Sequence, residues 1–433
     1  MSRSRDVLTL MAMCGLNLTI VSIQFYVWGY SLGFSKTADN QFIGNLNSGG
    51  LADVGAAAHP AAPDISELVY FVYQMQFAAI TPALAFGSGG VRMRLWPLMV
   101  IPFIWSTIVY DPVVYAMWGL NGWLHTLGDS GAYDFAGGIA IHTVSGMTAL
   151  AYGMLLRRPS KPGREPFAGE GPNHSPLLVY IGTALLWFGW IGFNAGSEGA
   201  ANARAATAAI NSNLAASIGG ITWMLLDSLH TKKLGSIPFC CGVVAGLATI
   251  TPGSGYVPVW ASLIYGVLAS LVCRTVVANK ELLRIDIDTL DVFAVHGVGG
   301  MLGVFLTGIF ASADVIALDG TVSPGGWVSQ HYIQVPIQLA AIAYGAGYSF
   351  VVSFALLWIV DKIPGLHLRA SEEDERAGLD RTQVGESAYD YYHALPLLDA
   401  ERESVKAPLQ SNGTPQSNGT SGTTDIELQK VDQ

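Results

Sequence analysis

The sequence predicts an all-α polytopic membrane protein with ten transmembrane helices, and three observations carry the prediction. The first is composition: 51% of the 433 residues are hydrophobic and 12% are charged, about half the charged share of a soluble domain. The second is a series of ten apolar runs, each near the length of about 20 residues that crosses a bilayer. The third is where the cations fall. Of the 22 Lys and Arg, all but Lys36 and Arg204 share one side if every run spans. The positive-inside rule makes that side cytoplasmic and puts both termini there, as an even count requires.

In chain order the runs are 7–34, 65–87, 95–118, 134–156, 176–196, 205–229, 236–253, 257–278, 290–312 and 333–361. The first follows Arg3 and Arg5, yet it is too long for a signal peptide and no small-residue cleavage site closes it. Run two is followed by Arg92 and Arg94. Run four leads to Arg157, Arg158, Lys161 and Arg164, and run six to Lys232 and Lys233. Arg274, Lys280 and Arg284 mark the end of run eight, and every cation from Lys362 onward follows run ten. Residues 1–365 therefore read as the transmembrane domain and 366–433 as a cytoplasmic C-terminal tail.

The tail is acidic at first, through Ser371-Glu-Glu-Asp-Glu-Arg376. It then turns low-complexity, with Gln410-Ser-Asn-Gly-Thr414 repeated at Gln416-Ser-Asn-Gly-Thr420. Such composition buries no core, so the distal part is expected to be disordered. Its Asn-Gly-Thr triplets would lie on the cytoplasmic side and so would not be glycosylated. An inert tail is the simpler reading and phosphorylation the other.

Several function classes fall away. A net charge of −10 offers nucleic acid no binding surface. Cys14, Cys240, Cys241 and Cys273 lie in apolar runs without C-x-x-C spacing, so no disulfide framework, metal site or other cofactor is expected.

An ionisable side chain inside a span costs about 2.5–3.5 kcal/mol on insertion scales, which makes each one a functional candidate. Asp111, Asp134, His142, Asp291 and His296 are the five. His142 lies eight residues past Asp134, and His296 repeats the theme past Asp291 in the second half of the chain. A lone membrane histidine usually ties two helices together by a hydrogen bond. Two of them, in opposite halves and each downstream of an aspartate, fit a pair meeting on the axis of an internal repeat. Neither has a second ligand at i+3 or i+4, which argues against zinc. A second constellation is aromatic: Tyr73-Gln-Met-Gln-Phe77, Trp118 and Trp190-Ile-Gly-Phe-Asn-Ala-Gly-Ser197. Ring faces hold cations and a serine hydroxyl accepts a hydrogen bond, although tryptophan at a span end more often anchors the membrane interface.

These motifs resemble the ammonium transporter family (Amt/Mep/Rh) from residue 3 to about 390. The resemblance rests on Gln41-Phe-Ile-Gly-Asn45, Asp134-Phe-Ala-Gly-Gly138, Gly192-Phe-Asn-Ala-Gly-Ser197, Thr249-Ile-Thr-Pro-Gly253 and Asp291-Val-Phe-Ala-Val-His-Gly-Val298. Gly378-Leu-Asp380 and Gly385-Glu-Ser-Ala-Tyr389 match in the tail. Tyr110-Asp-Pro112 and Asn121-Gly-Trp123 look like fungal methylammonium permeases. The resemblance implies the ammonium-transporter fold with its inverted repeat, a homotrimer in the plasma membrane, and ammonium and methylammonium as substrates. Trp118, Ser197 and Phe77 would recruit ammonium, with Tyr73 where a phenylalanine is common. Phe77 and Phe193 would form the gate, His142 and His296 the twin histidines of an apolar pore, and Asp134 and Asp291 structural carboxylates. Ammonium would lose its proton and cross as ammonia, an escape that potassium lacks.

The family has eleven spans with an external N-terminus. This chain opens at Ser2-Arg-Ser-Arg-Asp-Val, which matches the loop before the second span. The expectation is therefore that the first helix is missing, leaving four spans against five. Two other readings stay open: an ammonium sensor that signals to cytoplasmic regulators through the tail, and an inactive truncated isoform. An intramembrane hydrolase has less support, because no serine or cysteine nucleophile motif accompanies the histidines.

Overall fold

Ten apolar or near-apolar helices account for most of the chain in the computed structural model, which describes residues 5–156, 175–282 and 288–388. They are α1 (Val7–Phe34), α2 (Glu67–Ser88), α3 (residues 101–118), α4 (Gly138–Leu156), α5 (Pro176–Gly196), α6 (Ala203–Thr231), α7 (Ser236–Ile250), α8 (Val259–Ala278), α9 (Phe293–Phe310) and α10 (Gln334–Asp361). Seven of them are long and apolar enough to cross a membrane on length and composition. The other three are α3, which carries Asp111 and two prolines, α6, which holds Arg204 and Asp227, and α7, at 15 residues. The basic residues 157–164, Arg3, Arg284 and the tail from Tyr389 lie outside the described residues.

Local sequence sets the helix ends. Ser66 caps α2 by accepting from the Val69 amide, and Ser175 caps α5 through Leu178. Asn202 caps α6 through two amides, Arg204 and Ala205. Four helices carry a π turn: α1 at Phe25–Gly29, α3 at Ser106–Tyr110, α4 at Gly138–Thr143 and α9 at Phe293–Val298. The last two contain the histidines.

Small residues let the helices close. A side chain at Gly242 would meet the Gly219 carbonyl at 2.3 Å, and one at Gly266 would meet the Ala215 carbonyl at 2.4 Å. Thus α6, α7 and α8 pack backbone to backbone, the contact that replaces hydrophobic driving force inside a bilayer.

The two cations on the wrong side of the charge pattern are both neutralised. Lys36 pairs with the buried Glu67 at 2.6 Å, and Tyr30 donates to the same carboxylate at 3.0 Å. Arg204 binds Asp319, lies 3.5 Å from Glu198 and donates through Nε to the Gly255 carbonyl at 3.0 Å. At the opposite end the start of α1 is clasped by the chain after α10. Asp380 accepts from the amides of Leu8 (3.1 Å) and Thr9 (2.7 Å) and from the Thr9 hydroxyl (2.9 Å), while Asp6 accepts from the Leu379 amide at 2.9 Å. A short helix, Glu372–Ala377, opens on a capping box between Ser371 and Asp374.

Candidate functional site

The site begins at the end of the bundle opposite the clasp, as a cavity of about 500 Å³. Its wall includes Trp118, Ser197, Phe77, Asp134 and His125, with Arg204 beside Glu198 and Asp319. Arg204 spends its charge on those two acids and lies over the rings of Phe135 (5.3 Å) and Tyr256 (5.0 Å). The mouth is left with carboxylates and lone pairs, which favour cations.

Four side chains meet at its floor. Trp118 stands edge-on to Phe77, with centroids 6.0 Å apart at 87°. Its indole N–H donates to the Asp134 carbonyl at 2.8 Å, which fixes the ring. Tyr73 tilts against Phe77 at 4.8 Å, and its hydroxyl reaches the Phe193 carbonyl and the Ser197 hydroxyl (3.0 Å). Ser197 Oγ also donates to the Phe193 carbonyl at 3.0 Å. With that hydrogen committed inward, a lone pair of Ser197 remains for an N–H donor arriving from the cavity.

Below the floor, Phe77 lies 4.3 Å from Phe193, ring to ring. Phe193 in turn stacks on His142 at 6.2 Å. The histidines, 154 residues apart, meet here with Nδ1 atoms 3.1 Å apart. Glycines permit the approach. A Cβ at Gly146 would sit 2.2 Å from the Gly297 backbone, and one at Gly300 would sit 2.8 Å from His142 Cβ. Both histidines are buried, at 1% and 7% exposure. An Nδ1–Nδ1 hydrogen bond uses one hydrogen, so one ring carries its proton on Nδ1 and the other on Nε2. The pair therefore presents one Nε2–H and one bare Nε2. His142 Nε2 has no protein partner, so it is free for a small ligand.

Asp134 does two jobs in building this. Its carbonyl holds Trp118. Its carboxylate accepts four amides at the start of α4, from Gly137 (3.0 Å), Gly138 (2.5 Å), Ile139 (2.8 Å) and Ala140 (3.2 Å). Negative charge at a helix N-terminus is favourable, so a buried carboxylate is sustained there without a cation.

Asp291 lies elsewhere. It has φ +58° and pairs with Lys280 at 2.9 Å, about a quarter exposed. The carboxylate that matches Asp134 in geometry is Asp288, which accepts from the amides of Val292 (3.0 Å) and Phe293 (2.7 Å) at the start of α9. Burial pushes its carboxyl up to about 6, against the pull of those amides. Sequence reasoning passed over it, although Asp288 precedes His296 by the same eight residues that separate Asp134 from His142.

In the sequence Trp190 is no more than part of an aromatic motif. It stacks on His142 at 5.2 Å and lies 4° from coplanar with His296 at 6.3 Å. Its indole is tethered by a 3.0 Å bond to Thr251 Oγ1. Only its position one turn from Phe193 on α5 could have signalled it. No group of three or more His, Cys, Asp or Glu side chains among the described residues could hold a metal ion.

Comparison with known proteins agrees on one family. A family model described as Ammonium Transporter Family matches residues 1–389. Ammonium transporter 1 of Schizosaccharomyces pombe is 44% identical over 393 residues, covering 90% of this chain and 77% of the relative. Ammonium transporter MEP2 of Saccharomyces cerevisiae is 40% identical over 395 residues, covering 90% and 78%. The crystal structure of Candida albicans Mep2 superposes with a TM-score of 0.77 at 40% identity, covering 86% of this chain and 85% of that one. With its fold, its length of match and its identity to these relatives in accord, the chain belongs to the Ammonium Transporter Family.

Proposed function

We propose that this membrane-embedded ammonium transporter captures ammonium at Trp118, Phe77, Tyr73 and Ser197, strips one proton, and passes ammonia through the gate at Phe77 and Phe193 to the histidine pair. The observation that carries the reading is the unbroken line of ring contacts from the cavity floor to His142 and His296.

Ammonium and potassium carry the same charge, so ring faces attract both. They differ in that ammonium donates hydrogen bonds. Ser197 Oγ, with its own hydrogen turned inward, rewards a donor. Beyond Phe77 the lumen is apolar, and an intact ion there has lost its hydration without replacement. Ammonium escapes that cost by giving a proton to solvent water in the outer cavity, and potassium cannot. Ammonia then meets a bare Nε2 and an Nε2–H, and it can donate to the first and accept from the second. The Nδ1–Nδ1 bond joins the rings into one proton-sharing unit. Asp134 holds the recruiting tryptophan, Asp288 holds the second histidine helix, and Asp291 with Lys280 tethers the loop before it.

The same reading takes residues 1–365 as the transport domain and 366–433 as a cytoplasmic tail on which regulators would act. It places both termini in the cytoplasm, the cavity outside, the protein in the plasma membrane, and three copies in one assembly, each with its own pore. Methylammonium is the convenient second substrate. The test is methylammonium uptake into proteoliposomes made with the full chain, run against a potassium gradient. Uptake without potassium flux is expected. Flux of both, or of neither while the protein is folded, would overturn the reading.

A further inference from the structure

At the clasped end of the bundle, a cavity of about 460 Å³ lies between α1, the loop leading into α3, and the chain beyond α10. Leu16, Leu95, Trp96 and Met99 give it apolar walls, and Arg94, Thr382 and Gln383 give it a polar side. Two backbone bonds and one backbone-to-side-chain bond hold these segments together. The Arg94 amide donates to the Leu368 carbonyl at 2.9 Å, the Ala370 amide to the Arg92 carbonyl at 2.9 Å, and the Leu95 amide to Gln383 Oε1 at 3.3 Å. That last bond turns Gln383 Nε2 loose as a donor.

Arg94 is the unusual member. It lines the cavity, and its side chain makes no hydrogen bond or ion pair to another described residue. Other arginines at this end are engaged: Arg369 with Glu375, Arg274 with Asp227, and Arg5 with the Arg376 carbonyl. Beside Arg94, Trp96 is 67% exposed and Met99 is 49% exposed. Both lie in the turn Trp96–Met99 just ahead of α3, and an indole near a span end marks the headgroup level.

We propose that this cavity binds an anionic phospholipid, with its phosphate on the Arg94 guanidinium and Gln383 Nε2 and an acyl chain along Leu16, Trp96 and Met99. A guanidinium fork suits a phosphate, which accepts two parallel N–H bonds. Basic pockets between membrane helices take acidic headgroups. None of the seven lining residues is acidic, so the Arg94 charge is left unneutralised by the pocket itself. The anionic lipid is favoured by the unpaired Arg94 charge. Because Gln383 belongs to the segment that clasps α1, a bound lipid would fasten that segment to the transport domain.

The test uses the purified full chain in neutral detergent, titrated with phosphatidylglycerol, phosphatidylcholine or inorganic phosphate while its thermal midpoint is followed. Phosphatidylglycerol is expected to raise the midpoint, and the other two are not. Arg94→Gln should need about tenfold more phosphatidylglycerol for the same rise, as loss of a charged hydrogen bond implies. Trp96→Ala should also weaken the response. A rise with phosphatidylcholine equal to that with phosphatidylglycerol, or an unchanged response in Arg94→Gln, would overturn the proposal. So would an equal rise with inorganic phosphate, which would mean a free-anion site. Where Arg94→Gln fails to fold, Arg94→Lys keeps the charge without the fork, and a full parental response would then overturn the assignment. Hydrogen exchange over residues 378–388 gives a second readout and should slow only with phosphatidylglycerol.

Discussion

Replacing Gly146 with alanine should separate the two histidines without replacing either. Helices α4 and α9 cross at Gly146 and Gly297. A Cβ on residue 146 would lie 2.2 Å from both Cα and N of Gly297. Both are backbone atoms, so no side chain can swing away. Ordinary contact starts at 3.4 Å, so the helices must part by about 1.2 Å at the crossing. His142 is one turn away on the same face, about 6 Å along the axis. If the separation carries through, the 3.1 Å Nδ1–Nδ1 distance passes beyond the reach of a hydrogen bond. The overpacking itself costs about 1–3 kcal/mol, so a folded assembly is expected. Losing the shared proton should slow methylammonium uptake into proteoliposomes about tenfold, since one such bond is worth about 1–1.5 kcal/mol. Gly182→Ala is the control, because nothing lies within 4 Å of its added Cβ. Parental uptake and intact potassium exclusion in a monodisperse Gly146→Ala protein would refute the reasoning.

Three further outcomes follow from the geometry. Trp118→Leu removes a ring face worth roughly 0.5–2 kcal/mol to a cation. Half-saturation by methylammonium should therefore rise from a few-fold to about thirtyfold while maximal uptake changes less; identical concentration curves would make Trp118 an interface anchor only. Asp288 is held at about 6, above the ordinary 3.8. The fold thus favours its protonated form, and its contribution to stability is present below 3.8 and lost as pH rises through 6. The thermal midpoint of Asp288→Asn should fall less than that of the parent between pH 5 and pH 7, and parallel curves would contradict this. Asp380→Ala removes three hydrogen bonds to the start of α1. It should lower the thermal midpoint and speed proteolysis around residues 378–388, with unchanged cleavage counting against the clasp.

Much of the fold was legible because a bilayer leaves few alternatives. Apolar runs of spanning length and cations on one side of them together suggest the helix number, and each of the ten runs has its helix among the described residues, seven of them long and apolar enough to span. Boundaries were less legible where sequence and hydropathy part company. The sixth run ends at residue 229, yet α6 continues to Thr231; the seventh runs to 253, yet α7 stops at Ile250, ahead of Pro252. The histidines stood out because an ionisable group in a span is costly. Trp190 did not, because an apolar ring in an apolar helix carries no such signal. Its tether, Thr251, lies 61 residues away in the chain, so only the packing of α5 on α7 joins them.

The preference for Asp291 over Asp288 in the sequence reading shows what helix periodicity could not supply. Asp291 lies within the apolar run 290–312, where an ionisable group draws notice, whereas Asp288 falls just ahead of it. The backbone takes the other choice, since Asp291 adopts a left-handed conformation and turns to Lys280. Asp288 reaches over that turn to the first amides of α9. Counted from the capping carboxylate, the two halves then coincide. An aspartate is followed after eight residues by histidine and after four more by glycine: Asp134, His142 and Gly146 in one half, Asp288, His296 and Gly300 in the other. Each histidine also lies in a π turn, which widens the helix locally and shifts the ring off the direction an α-helical wheel assigns. Cap, π turn and glycine thus form one device used twice. The cap fixes where each helix starts, the π turn aims the imidazole, and the glycine admits the opposing helix. A single copy would leave one histidine with a buried, unsatisfied nitrogen, which is costly in an apolar interior. Two copies facing each other satisfy one nitrogen of each ring and leave the other for the lumen. Changing the eight-residue spacing in one half should therefore disturb the pair more than exchanging either aspartate for asparagine, which keeps an accepting oxygen in place.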